Sequence, residues 1–513
     1  MPQKLKLSGT ETKLSHCVTS GEPLDLRTGV SEHDDVMCAP TWAEERCIRA
    51  EVLTSLLLRI EQVTHGNLPV LSLSGVRITG RIILGGANIV TALLLDQCYL
   101  DEAPDLSYTR TRSIRIIKSR LPGLYARHVT VDGRLDLSNT VVHGRLMLVN
   151  AHITDELIMN GSKLHNPTGW TLFAGGITVD GALFGRHGFE SLGGIRLAGA
   201  HLNGGIFLEH ARLSITSGDV LVGDDLKVEG RMVCDGLVAE GGIRLPGARI
   251  NGRLSWDGAI IHANDTALDF RRLVAEDLLL APAEPIDGIV DLGSARVSVF
   301  SDIPAMWPSD MRLDGFTYDS LIALREHAGR DGKIAEYVSN STSTSAEVQP
   351  ARDRLAWLMH TSSGYRPQPY EQLALFYRRV GHDDEGRKVL LAKQRHRRST
   401  LNLAGKVWSY LLDWSVGYGY RPWLAALWLA ALIIVGTTVF AWWPPSALSP
   451  GAAPQFDPFA YTINLLLPVG QFIQPNQWDL SGIERWFAYA LVGAGWLLAT
   501  TVIAGVARVL NRS

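Results

Sequence analysis

Residues 193–213 read GGIRLAGAHLNGGIFLEHARL, and residues 241–261 read GGIRLPGARINGRLSWDGAII. The two stretches align at an offset of 48 residues. In each, apolar residues stand two apart. The first holds Ile195/Leu197, Ala200/Leu202, Ile206/Leu208 and Ala211/Leu213; the second holds Ile243/Leu245, Ala248/Ile250, Leu254/Trp256 and Ala259/Ile261. Residues two apart on an extended chain point to one side, so a turn after each pair carries the chain to a new face with its pair still inward. Four such faces take about 22 residues and close one coil, and stacked coils pair their backbones about 4.8 Å apart. The same beat runs through Ile82/Leu84, Ala87/Ile89, Leu135/Leu137, Leu146/Leu148, Ala151/Ile153 and Leu157/Met159. It predicts a β-solenoid over residues 67–302. Gly80, Gly133, Gly144, Gly204 and Gly252 follow the pairs and are expected to relieve strain at the corners.

Ala151-His152-Ile153, Ala200-His201-Leu202 and Ala248-Arg249-Ile250 resemble degenerate forms of the A-(D/N)-L-x-x unit of the pentapeptide-repeat family. The resemblance covers under half the chain and implies a right-handed quadrilateral β-solenoid with the small and the large apolar residue both inside. The alternation of five- and six-residue steps predicts a looser, rounder relative. Some members of that family imitate DNA through a dense negative stripe. Residues 67–300 carry about 22 basic and 25 acidic residues, a balance that argues against such mimicry.

The chain has 513 residues, 49 basic and 52 acidic, which gives no overall attraction toward nucleic acid. Cys17, Cys38, Cys47, Cys98 and Cys234 are scattered and form no C-x-x-C, so neither a disulfide framework nor a zinc site is expected. The first residues, MPQKLKLSGTETKLSH, contain no apolar core of a signal peptide. Upstream of the coils, within residues 1–66, TWAEERCIRAEVLTSLLLRIEQ (41–62) reads as an amphipathic capping helix. Thr41 is its N-cap, Glu44 and Glu45 lie in the first turn, and Ile48, Val52, Leu56 and Ile60 form its buried stripe. His33-Asp34-Asp35 reads as a solvated loop.

Residues 303–422 read as a helical neck. DSLIALREHAG (319–329) and RDRLAWLMH (352–360) are expected helices, with the Ser/Thr-rich stretch 339–347 as a connector. Residues 368–398 look like one helical hairpin of the tetratricopeptide type, with Gly381 as a C-cap and Asp383 as an N-cap. His382-Asp383-Asp384-Glu385 falls at its turn, where acids before a helix are expected without a metal.

Residues 423–443 and 486–507 are uncharged runs of 21 and 22 residues, each long enough for a hydrocarbon core of roughly 30 Å. Trp423, Trp442, Trp443 and Trp486 stand at their ends as interfacial anchors. Arg395, Arg397 and Arg398 belong to a basic stretch before the first run, while the loop 444–485 carries only Arg485. That asymmetry predicts an inner-membrane protein with both termini cytoplasmic and a short tail at 508–513. Val416-Gly417-Tyr418-Gly419 looks like a potassium-channel filter, but it precedes the first run, where no filter belongs. Tyr418 and Tyr420 are better read as anchors of the bend into the bilayer. Residues 459–473, FAYTINLLLPVGQFI, are too short to span and suit an interfacial or re-entrant segment. The order of span, short apolar helix, turn and span resembles a two-span channel pore domain in layout. Thr462, Asn464, Pro468, Gly470 and Gln471 are its candidate pore-loop residues.

Bacterial proteins of similar outline sometimes carry the label "membrane-associated oxidoreductase". No G-x-G-x-x-G opening a helix after a strand, Walker A loop, H-E-x-x-H or G-x-S-x-G occurs in the chain, so no catalytic, cofactor-binding or metal residue is assigned. The expected function is a membrane-anchored cytoplasmic scaffold or sensor that binds a protein partner. The competing readings are an oligomeric pore regulated by the solenoid and an oxidoreductase. The expected partners are the lipid bilayer, a protein on the solenoid surface and further copies of the chain, without nucleic acid.

Overall fold

In the computed structural model, Leu71 pairs in register with Leu93, Leu93 with Ile114, and so on through Leu135, Leu157, Leu183, Ile206, Met232, Leu254, Leu278, Phe300 and Leu321. Every step is parallel. The chain therefore winds a parallel β-solenoid of about twelve coils, with its strands collected in one 19-stranded and one 14-stranded sheet. The structure describes residues 7–20, 22–59, 70–308, 310–324, 350–359, 364–416, 422–447, 456–466 and, less continuously, 478–498. It forms two compact units, Met1–Phe376 and Tyr377–Ser513.

Where the winding is most regular, one coil is four two-residue strands: Thr130–Val131, Leu135–Asp136, Val141–Val142 and Leu146–Met147. All sixteen paired residues read from 195–213 and 243–261 are buried. Two corners of most coils take the left-handed conformation. Residues such as Asn139 (φ 54°), Asn150 (φ 52°) and His210 (φ 56°) occupy them, with glycine at the equivalent place in other coils, including Gly161 and Gly199. Asn tolerates that region because its short polar side chain bonds locally. Of the glycines expected at corners, Gly80, Gly133 and Gly144 do have positive φ. Gly204 and Gly252 do not. They are there for close approach: a Cβ on Gly204 would stand 2.7 Å from the carbonyl carbon of Gly181, and one on Gly252 3.1 Å from the Gly230 oxygen.

The 48-residue offset is a two-coil period. One inward corner column runs Ala151, Ile177, Ala200, Leu226, Ala248, Leu273, Ala295, Phe316, alternating small and large, with every member buried. On the opposite corner Ala211, Leu237 and Ala259 alternate in the same phase. Interleaving bulky and small layers fills a stack of closed coils without voids. Coil length alternates too. Steps of 26 residues, as from Leu157 to Leu183 and from Ile206 to Met232, follow or precede steps of 22–23. The longer coils bulge outward at 166–169 and 215–218, where the strand register shifts. In the shorter coils between them, Gly193 lies directly beneath the Asn166 carbonyl and Gly241 lies 2.9 Å from the Gly218 carbonyl, measured to a built Cβ. No side chain fits there.

The N-terminal cap differs from the sequence expectation. Helix α1 (Gly9–Ser20) opens with a reciprocal capping box. The Ser8 backbone N–H donates to Glu11 Oε2 (2.8 Å), and the Glu11 N–H donates to Ser8 Oγ (3.2 Å). The described part of 41–62 is not one helix. Thr41 ends a 3-10 turn, Glu44–Arg46 forms another, Cys47–Arg49 is a strand pairing with Arg77–Thr79, and the α-helix among the described residues is Ala50–Arg59 (α2), so Thr41 is not its N-cap; Ile60 lies outside the described residues. Ile48 satisfies the coil pattern and is fully buried there; pairing with the exposed first edge outweighs helix propensity. Asp34 is a buried anchor rather than a solvated residue. It accepts from the Thr28 and Gly29 N–H groups and from Arg46.

At the other end, the described part of 319–329 is not helical, because Thr317–Ala323 pairs with Arg296–Asp302 as one more strand. The last coil is closed by α3 (Ala351–Met359) and α4 (Pro367–Arg379). Gln368 Oε1 accepts from the Gly315 N–H (2.9 Å) and its Nε2 donates to the Phe316 carbonyl (3.0 Å), while Gln372 Nε2 donates to the Tyr318 carbonyl (2.6 Å). Two glutamine amides thus stand in for the backbone of a coil that is not there. Arg354 and Asp302, 1% and 0% exposed, form a bidentate pair (2.7 and 2.8 Å), and Trp307 Nε1 also donates to Asp302.

In the second unit, Gly381 (φ +82°) ends α4 as expected, with the His382 N–H bonded to the Tyr377 carbonyl. Helix α5 (Asp383–Arg397) begins at Asp383, so Asp383 is its first helical residue and not its cap. Then come α6 (Leu403–Val416), α7 (Pro422–Trp442), α8 (Pro458–Leu466) and a helical stretch at 485–496. Among the described residues no helix is long and apolar enough to cross a membrane, and the expectation of two spanning helices at 423–443 and 486–507 is not met there. Side chains at 422, 423, 425 and 426 in α7, and residues beyond 498, lie outside the description.

Candidate functional site

A shallow groove of about 480 Å³ runs along the C-terminal coils. Along its floor Arg244, Asp291 and Arg312 stand in one register column, whose fourth member, the buried Asp269, lies between Arg244 and Asp291. Its rim is the left-handed corner, where Asp225, Gly247, Arg272, Ser294 and Gly315 follow one another. Coil stacking thus sets these charges in steps of about 4.8 Å.

Most of these charges are neutralised in place. Arg244 Nε meets Asp224 Oδ1 at 2.8 Å, and Arg312 meets Asp291 at 3.5 Å. Arg271 grips both carboxylate oxygens of Asp269 at 2.8 and 2.7 Å. Burial of Asp269 would raise its pKa, but the hydrogen bonds from Arg271 outweigh that and hold it below the usual range. Asp269 in turn pushes the Arg271 guanidinium up. Arg272 and Arg366 line the groove exposed, with no acidic partner among the described residues. The groove offers guanidinium and carboxylate groups for recognition, and it holds no Ser, Cys or His paired with a base.

The two-coil period also marks the outer surface. Asp180 accepts from His152 (2.9 Å) on the preceding coil and from Asn203 (3.4 Å) on the following one. Glu229 repeats the arrangement with His201 (3.2 Å) and Asn251. No group of three or more potential metal ligands occurs among the described residues. Cys98 and Cys234 are fully buried; burial pushes the Cys98 thiol up to about 12 and raises Cys234 as well, so neither is a thiolate nucleophile.

The candidates named from sequence fall in the second unit. Arg398 donates to Ser409 Oγ (3.1 Å) and lies 4.0 Å over the Tyr410 ring, engaged with α6. Arg395 and Arg397 are exposed on α5. Trp442, Trp443 and Trp486 are exposed at 82%, 59% and 75%. Tyr418, Tyr420, Pro468, Gly470 and Gln471 lie outside the described residues, as does the side chain of Trp423. Thr462 is buried in α8 and donates to the Pro458 carbonyl (2.7 Å), while Asn464 is half-buried. Helix α8 does not lie free. Gly436 of α7 admits the Thr462 methyl, and Gly495 admits the Leu466 carbonyl, so close that neither glycine has room for a Cβ. Phe440, Tyr461, Leu466, Ala488 and Leu491 form the core of this unit.

The groove was not foreseen from sequence because its charges are 20 to 27 residues apart. The available signal was the recurrence of Asp and Arg at the coil period. Compared with protein-family models, curated proteins and solved structures, the chain matches none.

Proposed function

We propose that this chain is a non-catalytic, membrane-anchored scaffold or sensor of the bacterial inner membrane, whose cytoplasmic solenoid binds a protein partner. The observation that carries the reading is the pairing of a rigid, charge-patterned stack of coils with α7, a 21-residue helix that contains no charge. Leu427, Ile434 and Val435 of α7 are exposed at 54%, 65% and 48%. A helix apolar on every side suits lipid or a second protein surface better than water. The anchoring half is supported by the two uncharged runs at 423–443 and 486–507. The solenoid is read as a loose relative of the right-handed quadrilateral pentapeptide-repeat winding, a kinship supported by its four short strands per coil.

Alkaline extraction of membranes from cells making the full chain tests this. The chain is expected to stay in the pellet, and protease is expected to digest the solenoid in inverted vesicles while sparing it in intact spheroplasts. Recovery in the soluble fraction would falsify the anchoring.

A second reading, an oligomeric pore, is favoured by the clasp of α8 between Gly436 and Gly495, which suits a short re-entrant helix better than one lying on the bilayer surface. Proteoliposomes should then pass ions, and Asn464→Ala should change the conductance. Sealed vesicles would discard this reading and leave the scaffold intact.

A further inference from the structure

The near-neutral solenoid is strongly polarised along its axis. Residues 106–150, two adjacent coils, carry eight basic and two acidic residues. Residues 151–302 carry twelve basic and twenty acidic. Within the basic coils, Arg110, Arg115 and Arg134 meet acids on the next coil at 3.0, 3.4 and 3.4 Å. Arg112, Lys118, Arg120, Arg127 and Arg145 have no acidic partner among the described residues. Two of these flank one corner of the 14-stranded sheet: Arg120 opens one of its strands, and Arg145 precedes Leu146–Met147. Arg120 and Arg145 reach over the rings of Tyr99 (5.9 Å) and Phe173 (5.7 Å). Such stacking presents the planar guanidinium edge outward for a carboxylate.

The same sheet side turns acidic further along. Glu240 and Asp287 lie on one register row with His262 between them, and Asp265 sits on the intervening bulge. All three acids are exposed and have no basic partner among the described residues. Arg120 heads the row Val141, Lys163, and His165, two residues on, faces the same way and leads through Leu192 and Ser214 to Glu240. The corner between the Val141 and Leu146 columns therefore carries arginines with no acidic partner among the described residues at one end, and carboxylates with no basic partner among them about five to seven coils from Arg120, roughly 24–34 Å.

We infer that two copies of this chain associate side by side and antiparallel through this corner of the sheet, the Arg120/Arg145 coils of one against the Glu240/Asp265/Asp287 coils of the other. A two-fold axis across the face makes both halves of the contact identical, as a closed dimer requires. A nucleic acid or anionic lipid would meet only the basic end and would leave the acidic end of the same face unexplained. The inference rests on the reading of the solenoid as a partner-binding scaffold and names that partner as a second copy.

The full chain in detergent tests it by light scattering across a salt series. A dimer is expected at about 0.05 M salt, dissociating toward 0.5 M as screening shortens the reach of the charges. R120E/R145E should weaken self-association by roughly tenfold or more, with unchanged thermal unfolding. Adding E240R/D287R to it should restore the dimer. A chain that is monomeric at low salt overturns the inference, as does self-association indifferent to both salt and R120E/R145E. Binding of a single-stranded oligonucleotide that R120E/R145E abolishes, without any dimer, also overturns it. A monomer that still resists alkaline extraction loses this inference and keeps the anchoring. A salt-sensitive dimer found in the soluble fraction does the reverse.

Discussion

Thr216 Oγ1 donates a 3.0 Å hydrogen bond to the carbonyl of Pro167, 49 residues upstream, reaching past the coil that lies between them. The contact exists because that intervening coil is short and turns through Gly193 and Gly194, where no side chain fills the corner. Two outward bulges can then meet over it. The structural unit of this solenoid is accordingly a pair of coils, one with Ala at its inward corners and a bulge, one with Leu or Ile and a tight turn.

If the pair is the unit, excision should respect it. Removing residues 200–247 joins Gly199 to Ala248 and keeps Ala beside Ile177, so the shortened chain should fold with nearly unchanged melting temperature. Removing only 200–225 sets Leu226 directly on Ile177 and takes away the 215–218 bulge. That chain should melt well below the first. Circular dichroism melts of the two deletions decide it, and a single-coil deletion as stable as the double would refute a two-coil unit.

The alternation also fixes what single substitutions do. Leu226→Ala should cost about 2–5 kcal/mol, since closed coils above and below cannot collapse into the gap. Ala248→Leu, on the adjacent coil, should cost about 1–3 kcal/mol through overpacking. The double variant should lose less than the sum, because the volume moves one layer along. Denaturant titrations of the three chains measure the coupling, and strict additivity would count against interlocked layers.

The coils were legible in the sequence because burial on the inside of a closed turn admits only apolar pairs, and their spacing survives at every coil. The ends were not. Ile48 sits in a stretch whose i, i+4 pattern suits a helix, yet it is taken by the first open strand edge. Tyr318 and Leu321 likewise form a strand because Val297 and Phe300 offer one. Such pairing depends on what lies alongside, which local spacing does not encode. The groove escaped for a related reason: Arg244, Asp291 and Arg312 come into one column only through stacking. The polarity of the solenoid was hidden by averaging charge over the whole of it.

The C-terminal closure makes a third prediction. Asp302 accepts from both Arg354 amino groups and from the half-buried Trp307, with the Asp302–Arg354 pair itself out of water. Asp302→Ala strands the guanidinium and should cost about 3–5 kcal/mol. Gln368→Leu leaves the Gly315 N–H and the Phe316 carbonyl unpaired and should cost about 1–3 kcal/mol. Hydrogen exchange should locate the latter loss in the last coil. Exchange that stays slow at Gly315 in Gln368→Leu would show that α4 does not close the edge.

The pH dependence of stability should carry two opposite signatures. Glu11, bonded by the Arg49 guanidinium, titrates at about 2 in the fold, below its ordinary 4.5. Its contribution is present above pH 4.5 and fades as the pH falls toward 2. Asp257 is the reverse. Burial, with the Asp235 carboxylate beside it, pushes its pKa to about 6 from 3.8, and its Oδ1 has no hydrogen-bond partner among the described residues. A raised folded pKa contributes stability that is full below pH 3.8 and is lost as the pH rises through 6. Asp257→Asn keeps the shape and removes the charge, so at pH 7.5 it should stabilise the chain by about 1–3 kcal/mol and at pH 4 by little. Glu11→Gln should destabilise at pH 7.5 and converge with the parent near pH 2. Unfolding free energies at pH 4, 6 and 7.5 separate the two. An Asp257→Asn effect equal at pH 4 and 7.5 would mean that the carboxyl is already ionised in the folded coil at low pH.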